Sequence, residues 1–198
     1  LYLSDTALRD GVRREGAGDH EARLEAYGAQ LGRAETMALA HAVNRHGPEL
    51  RAYDRRGVRI DRVDFHPGWA DFMGMAFAQG MHCSAWSHAG PGAHVARAAC
   101  YLMHGQVEAG SLCPTTMTSA AIPLLARESW FDALRPLLYA RRFDGRDRPL
   151  ADKASMMVGM GLTERQGGSD LRSSTSRAVA APEGGGWYRL SGHKWFFS

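Results

Sequence analysis

The chain has 198 residues, 44% of them hydrophobic, 23% charged, with a formal net charge of +3. This composition excludes a disordered or collagen-like chain, and no uninterrupted apolar run approaches the ~18 residues of a membrane helix. A charge of +3 is too small to argue for a nucleic-acid or membrane partner, and Leu1 to Arg14 lacks a basic-then-apolar leader pattern.

The first half of the chain reads as helices. Leu24, Tyr27, Leu31, Ala34 and Ala38 recur at helical spacing and predict one amphipathic helix, with Asp19 as N-cap and Gly47-Pro48 as its stop. A second helix is expected after His66-Pro67-Gly68, with Trp69, Phe72, Met73, Ala76 and Phe77 on its apolar side. A third spans about Ala93 to Val107, with Val95, Ala99, Leu102 and Gln106 on one stripe. A fourth starts near Pro114, a residue suited to the first turn because it lacks an N–H, and should end or kink at Pro123. Met73, Met75, Met81, Met103 and Met117 are assigned to packing, the commoner use of methionine. Arg141 to Arg148 is almost wholly polar and reads as a solvated connection or exposed helix end, with contact of its basic cluster to a phosphate as the less common alternative.

After Asp152 the pattern changes. Met156 to Leu162 is a short apolar run that suits a buried strand, and Thr175 to Ala181 suits another. Pro182-Glu183-Gly184-Gly185-Gly186 makes a turn, and Trp187 to Leu190 resumes in β-type residues. The fold class is therefore α+β, a helical block at 1–152 followed by antiparallel strands at 153–198. A sequence that stops at Trp195-Phe196-Phe197-Ser198 has stopped within a strand, so the expectation is the front part of a longer protein.

Several chemistries have no matching pattern. A phosphate loop of the Gly-x-x-x-x-Gly-Lys-Ser/Thr type and a Gly-x-Gly-x-x-Gly turn are both missing, since Gly161 is followed by Leu162-Thr163-Glu164. Gly167-Gly168-Ser169-Asp170-Leu171 fails the nucleophile elbow at its last position. His82, His88 and His94 are six apart, which is not zinc-ligand spacing. Cys83, Cys100 and Cys113 are odd in number and lack a Cys-x-x-Cys pair, so reduced cytosolic thiols are expected. What remains is Gly161 to Asp170, where an apolar segment delivers Thr163 to a loop with paired glycines and Ser169. Successive N–H groups in such a loop can cradle an anion, although a plain glycine-rich turn has the same appearance. Further on, Gly192 to Ser198 carries consecutive aromatics, suited either to a core strand or to stacking on a planar ligand.

Taken together, Thr163-Glu164-x-x-Gly167-Gly168-Ser169-Asp170 and Gly192-x-Lys194-Trp195-Phe196-Phe197-Ser198 behind a helical block resemble the acyl-CoA dehydrogenase family of flavoproteins. Tyr2 to Asp5, Arg14 to Gly18, Gln106 to Pro114, Met117-Thr118 and Pro123 to Leu125 resemble its AidB-like branch, linked to the adaptive response to alkylation. The resemblance implies a helical domain followed by the beginning of a β-barrel domain, and FAD as cofactor. It implies that the backbone of Met160, Gly161, Leu162 and Thr163 faces the flavin ring and that Gly168 and Ser169 contact the pyrophosphate. Phe196 would cover one flavin face where tryptophan is common, with Phe197 beside it and Ser198 in place of a threonine. Arg165-Gln166-Gly167 departs from the usual loop, leaving Arg165 as either a phosphate partner or a surface charge. The implied reaction is α,β-dehydrogenation of an acyl-CoA, with hydride transfer to flavin N5. The catalytic base is expected beyond Ser198, Glu164 being part of the loop motif. The alternative implied role is a DNA-associated flavoprotein of the alkylation response, contacting double-stranded DNA through a C-terminal region outside this sequence. The resemblance further implies a cytoplasmic homo-oligomer, by family habit a tetramer.

Overall fold

The computed structural model describes residues 1–197, so Ser198 lies outside the described residues. They divide into two compact units, Leu1–Met157 and Val158–Ser198. The first is mainly helical: α1 (Thr6–Arg14), α2 (Glu21–Leu31), α3 (Ala34–Arg45), α4 (Pro67–Gln79), α5 (Ser84–Ser87), α6 (Ala93–Gly105), α7 (Leu112–Leu125) and α8 (Phe131–Leu138). Between α3 and α4 lies an antiparallel hairpin of β1 (Glu49–Tyr53) and β2 (Arg59–Asp64). The second unit holds β3 (Arg177–Ala180) and β4 (Tyr188–Ser191), paired antiparallel from Arg177↔Ser191 to Ala180↔Tyr188. Mixed helix and sheet agrees with the α+β expectation.

Local chemistry explains where the helices begin and end. The Asp5 side chain accepts a hydrogen bond from the Leu8 N–H at 2.9 Å and caps α1. The His66 ring nitrogen does the same for the Gly68 N–H at 3.1 Å, ahead of Pro67 in the first turn of α4. Gly80 closes α4 in the left-handed conformation.

Four readings of the helical block need correction. The long helix expected from Asp19 is two helices, because Gly32 ends α2 and Arg33 is extended. The break resets the helical phase. Leu24, Tyr27 and Leu31 are buried as expected, but Ala34 and Ala38 are exposed, and Thr36, Ala40 and Val43 take the inner face instead. Asp19 lies in a 3₁₀ turn, and the residue before α2 is His20, without a side-chain cap. On α6, Ala96, Ala99, Cys100 and Met103 face the core, whereas Leu102 is 56% exposed. Pro123 does not end α7, which continues two residues past it.

The hairpin β1–β2 has no counterpart in the helix-first reading. Its turn is built by Asp54, whose carboxylate accepts from the N–H groups of Arg56 at 2.8 Å and Val58 at 2.9 Å. Apolar residues at Leu50, Tyr53, Val58, Ile60 and Val63 around Asp54 to Gly57 carry the strand signal. Met156 to Leu162 forms no strand among the described residues, and Met157, Met160 and Leu162 are exposed. An apolar run becomes a buried strand only where neighbours complete its ladder. Trp195 to Phe197 likewise departs from strand geometry, because Phe196 takes a φ of 51°.

Inside the helical unit, Leu24, Tyr27, Leu31, Phe72, Met81 and Met103 centre one core cluster. Met73 is fully buried too, and Met75 is partly buried against the core, as packing requires. A polar chain crosses this core. Tyr27 Oη lies 2.5 Å from His104 Nδ1, His104 Nε2 lies 2.7 Å from Ser111 Oγ, and Ser111 Oγ donates to Glu108 at 2.5 Å. Because the Ser111 hydroxyl proton goes to Glu108, Ser111 Oγ accepts from His104 Nε2–H, and Nδ1 accepts from the Tyr27 hydroxyl. Glu108 also accepts from the Ser111 N–H at 2.9 Å. The chain thus ties α2 to α6 and to the start of α7, with its polar atoms satisfied.

Gly92, the N-cap of α6, shows why that turn needs glycine. Its φ is +71°, and a Cβ there would lie 2.5 Å from Gly16 O and 2.6 Å from Ala17 Cα. Both contacts are backbone or core atoms that cannot swing aside. Gly92→Ala is expected to cost about 2–4 kcal/mol in chemical unfolding. Gly18→Ala, with nothing within 4 Å, should change stability little, and equal effects at the two glycines would refute the packing argument.

Candidate functional site

The candidate site lies in the second unit, where a tight turn and a return segment are bound to one carboxylate. The turn closes through Glu164 N–H to Gly167 O at 3.0 Å and Gly167 N–H to Glu164 O at 3.1 Å. The Glu164 side chain, 2% exposed, is the centre. Its Oε1 accepts from Lys194 Nζ at 2.7 Å and the Ser176 N–H at 3.1 Å. Its Oε2 accepts from Gln166 Nε2 at 2.7 Å, the Thr175 N–H at 2.7 Å and the Thr175 hydroxyl at 3.0 Å. The bond from Lys194, then those from Thr175 and Ser176, hold the Glu164 carboxyl well below the usual carboxylate range. A carboxylate so saturated with donors is a poor proton acceptor, in keeping with its exclusion as the base.

The return segment closes on the loop beside this carboxylate. The Trp195 N–H donates to Thr163 O at 2.9 Å, and Lys194 Nζ reaches Leu162 O at 3.2 Å. The Phe197 ring lies against Gly161, in space that a Cβ at Gly161 would need. Gly168 backs onto Thr163, whose Oγ1 and Cγ2 would each be 3.2 Å from a Cβ at 168. The fold therefore brings Gly161, Leu162, Thr163, Gly168 and Phe197 together. Met160, Ser169 and Phe196 are exposed, Phe196 by 83%.

Among the described residues, no acceptor meets the backbone N–H groups of Gly161, Leu162, Thr163, Gly168 or Ser169. Free donors on a glycine-bearing loop, next to exposed aromatic rings, suit a ligand with a planar ring and an anionic tail. The residues present thus fit a dinucleotide such as FAD. Arg165 is exposed and makes no ion pair among the described residues. No group of three or more His, Cys, Asp or Glu side chains able to hold a metal occurs among them either, and no described helix is long and apolar enough to cross a membrane.

Sequence reasoning did not anticipate Lys194, Thr175 and Ser176 as partners of Glu164. The one available signal was a lysine two residues past a glycine in a segment otherwise aromatic.

Solved structures share this fold, two of them as follows. "Bd2924 apo-form" matches with a TM-score of 0.81 at 24% identity, over 100% of this chain and 39% of that one. The structure of Caenorhabditis elegans ACDH-11 in complex with C11-CoA matches with a TM-score of 0.79 at 21% identity, over 99% and 33%. At these identities the likeness establishes the architecture. Kinship is shown at the level of sequence: residues 1–145 match the model of the "Adaptive response protein AidB N-terminal domain". The chain belongs to the AidB family. It is 48% identical over 202 residues to the Escherichia coli (strain K12) protein named "Putative acyl-CoA dehydrogenase AidB", covering 100% of this chain and 37% of that protein. The chain thus spans little more than a third of the relative's length.

Proposed function

We propose that this chain supplies part of an FAD site in an acyl-CoA dehydrogenase-like oxidoreductase, with a helical domain at 1–152 and the cofactor loop in 153–198. The observation that carries the reading is the set of N–H groups at Gly161 to Thr163 and at Gly168-Ser169 that meet no acceptor among the described residues, with the Phe197 ring against Gly161 and Gly168 against Thr163. Family membership supports it from the other side.

In this reading Met160, Gly161, Leu162 and Thr163 border the flavin ring, and the Thr163 hydroxyl donates toward its reactive edge. Gly168 and Ser169 bind the pyrophosphate through backbone N–H groups and a hydroxyl. Phe196 and Phe197 cover the ring and exclude water, and Ser198, the residue expected to add a hydroxyl, lies outside the described residues. FAD, when bound, supplies the hydride acceptor for the substrate β-carbon. Removal of the α-proton is assigned to a carboxylate outside residues 1–198, since Glu164 is occupied by its five donors.

The test uses the intact protein supplied with FAD and titrated anaerobically with acyl-CoAs of increasing chain length. A bound-flavin spectrum that bleaches with one range of chain lengths is the expected result. A bound flavin that no acyl-CoA reduces would remove the dehydrogenase reading and leave the DNA-associated role. Failure to bind FAD at all would remove the cofactor assignment.

A further inference from the structure

We propose that Glu164 and Lys194 form a positioning pair that locks the aromatic segment 195–197 onto the Thr163 loop and so sets the geometry of the flavin site. The inference rests on the FAD reading and adds two residues to it that have no contact role there.

Two segments 30 residues apart in sequence must be held in register for Thr163 and Phe197 to face one ligand. Only three polar contacts among the described residues join them. These are Lys194 Nζ to Glu164 at 2.7 Å, Lys194 Nζ to Leu162 O at 3.2 Å, and Trp195 N–H to Thr163 O at 2.9 Å. Two of the three are made by Lys194, and the third is adjacent to it. Glu164 in turn is anchored by the Thr175 and Ser176 N–H groups at the entry to β3, so the lysine is attached to a carboxylate that cannot move away.

Of the neighbouring aromatics, Phe197 meets the loop at Gly161, with its ring still largely open to solvent. Trp195, Phe196 and Phe197 are all exposed, and Phe196 holds a left-handed backbone conformation that a bulky residue adopts only under constraint. Burial of these rings is therefore partial, and the charge-assisted bond to a fixed carboxylate is the strongest polar restraint on the segment. Its place one residue from Thr163 means that any shift of Glu164 moves the threonine.

The experiment compares the intact protein with Glu164→Gln, Lys194→Met and the double variant. Two measurements are made, retention and visible spectrum of FAD, and hydrogen exchange of the Trp195 amide. Each single variant is expected to weaken FAD retention by about tenfold or more and to shift the spectrum of the flavin still bound. Loss of protection at Trp195 should accompany this. The double variant should be no worse than either single one, the signature of residues that act as a unit. Lys194→Arg should restore much of the spectrum, and Gln166→Ala, which removes one donor to Glu164 without touching the segment, should leave Trp195 protected. A purely structural pair would lower overall stability and leave the spectrum of the bound flavin unchanged, which overturns the proposal. Retained protection at Trp195 in both single variants overturns it as well. If the unaltered protein binds no FAD, the cofactor reading fails first. Exposure of the Trp195 amide in the variants would then show a clasp that serves no flavin, and the proposal falls with that reading.

Discussion

Between pH 6.5 and about pH 4 the helical unit is expected to lose about 3 kcal/mol of stability for each of His82 and His104. Both rings are fully buried. Burial pulls each down to about 4 from the usual 6.5, with the Glu108 charge opposing this at His104 and the bond to Ala140 O opposing it at His82. Arg141 and Arg97 push His82 further in the same direction as burial. Above pH 6.5 the rings are neutral whether the chain is folded or not, and the full stability is present. Below it the unfolded chain takes up two protons that the folded unit refuses, so stability falls at about 1.4 kcal/mol per pH unit per histidine. The fall levels off once the folded rings also protonate, near pH 4.

The hydrogen-bond directions give the same sign. His104 accepts from the Tyr27 hydroxyl through Nδ1, so a second proton would set two donors against each other at 2.5 Å. Burial pushes the Tyr27 phenol up, which keeps it a donor. Carboxylates act in a lower window. Asp144 is held down by Arg146 and the Ala154 N–H, and Glu164 by Lys194, so their contributions disappear only below the ordinary carboxylate range. Urea unfolding of the intact protein, followed by far-ultraviolet circular dichroism at pH 7.5, 6, 5 and 4.5 (about half a unit to one and a half units apart, to sample the titration), measures the slope. His104→Gln should halve it. A flat profile from about pH 7.5 to about pH 5, a range that spans the unperturbed histidine value, would mean that the buried rings are not the groups that titrate.

Much of the helical order was legible because helices announce themselves through local chemistry. Pro67 after His66 fixes the start of α4, and Leu24, Tyr27 and Leu31 mark the inner face of α2. What the sequence hid was phase. A single glycine at 32 restarts the helix and moves the core stripe from Ala34 and Ala38 to Thr36, Ala40 and Val43. On α6 the small residues Ala96, Ala99 and Cys100 form the buried face with Val95 at its border, so the expected stripe holds at Val95 and Ala99 and fails at Leu102 and Gln106, which are exposed. The strand signal at Met156 to Leu162 came from hydrophobicity alone, and hydrophobicity does not provide ladder partners. The loop at Gly161 to Asp170 was legible as a cluster of residue types. The partners of Glu164 were not, since Thr175, Ser176 and Lys194 are 11, 12 and 30 residues away and meet it only through the fold.

Phe72→Ala is expected to destabilise the helical unit by about 3–5 kcal/mol. Phe72 is completely buried in the core cluster and lies edge-on to His104, with ring centroids 5.8 Å apart. Truncation removes the transfer energy of the ring and leaves a cavity beside His104, which is held in place by its bonds to Tyr27 and Ser111 and cannot collapse inward freely. The cavity also borders the imidazole, so water admitted there would favour the charged ring and raise the pH at which His104 protonates. Phe72→Ala should therefore lower stability at pH 7.5 and flatten the acid slope, where a cavity remote from the histidines would lower stability alone. Leu102→Ala on the outer face of α6 is the control, expected to cost less than about 0.5 kcal/mol. Equal losses at Phe72 and Leu102 would show that the core stripe of the helical unit is not the one formed by Phe72, Ala99 and Met103.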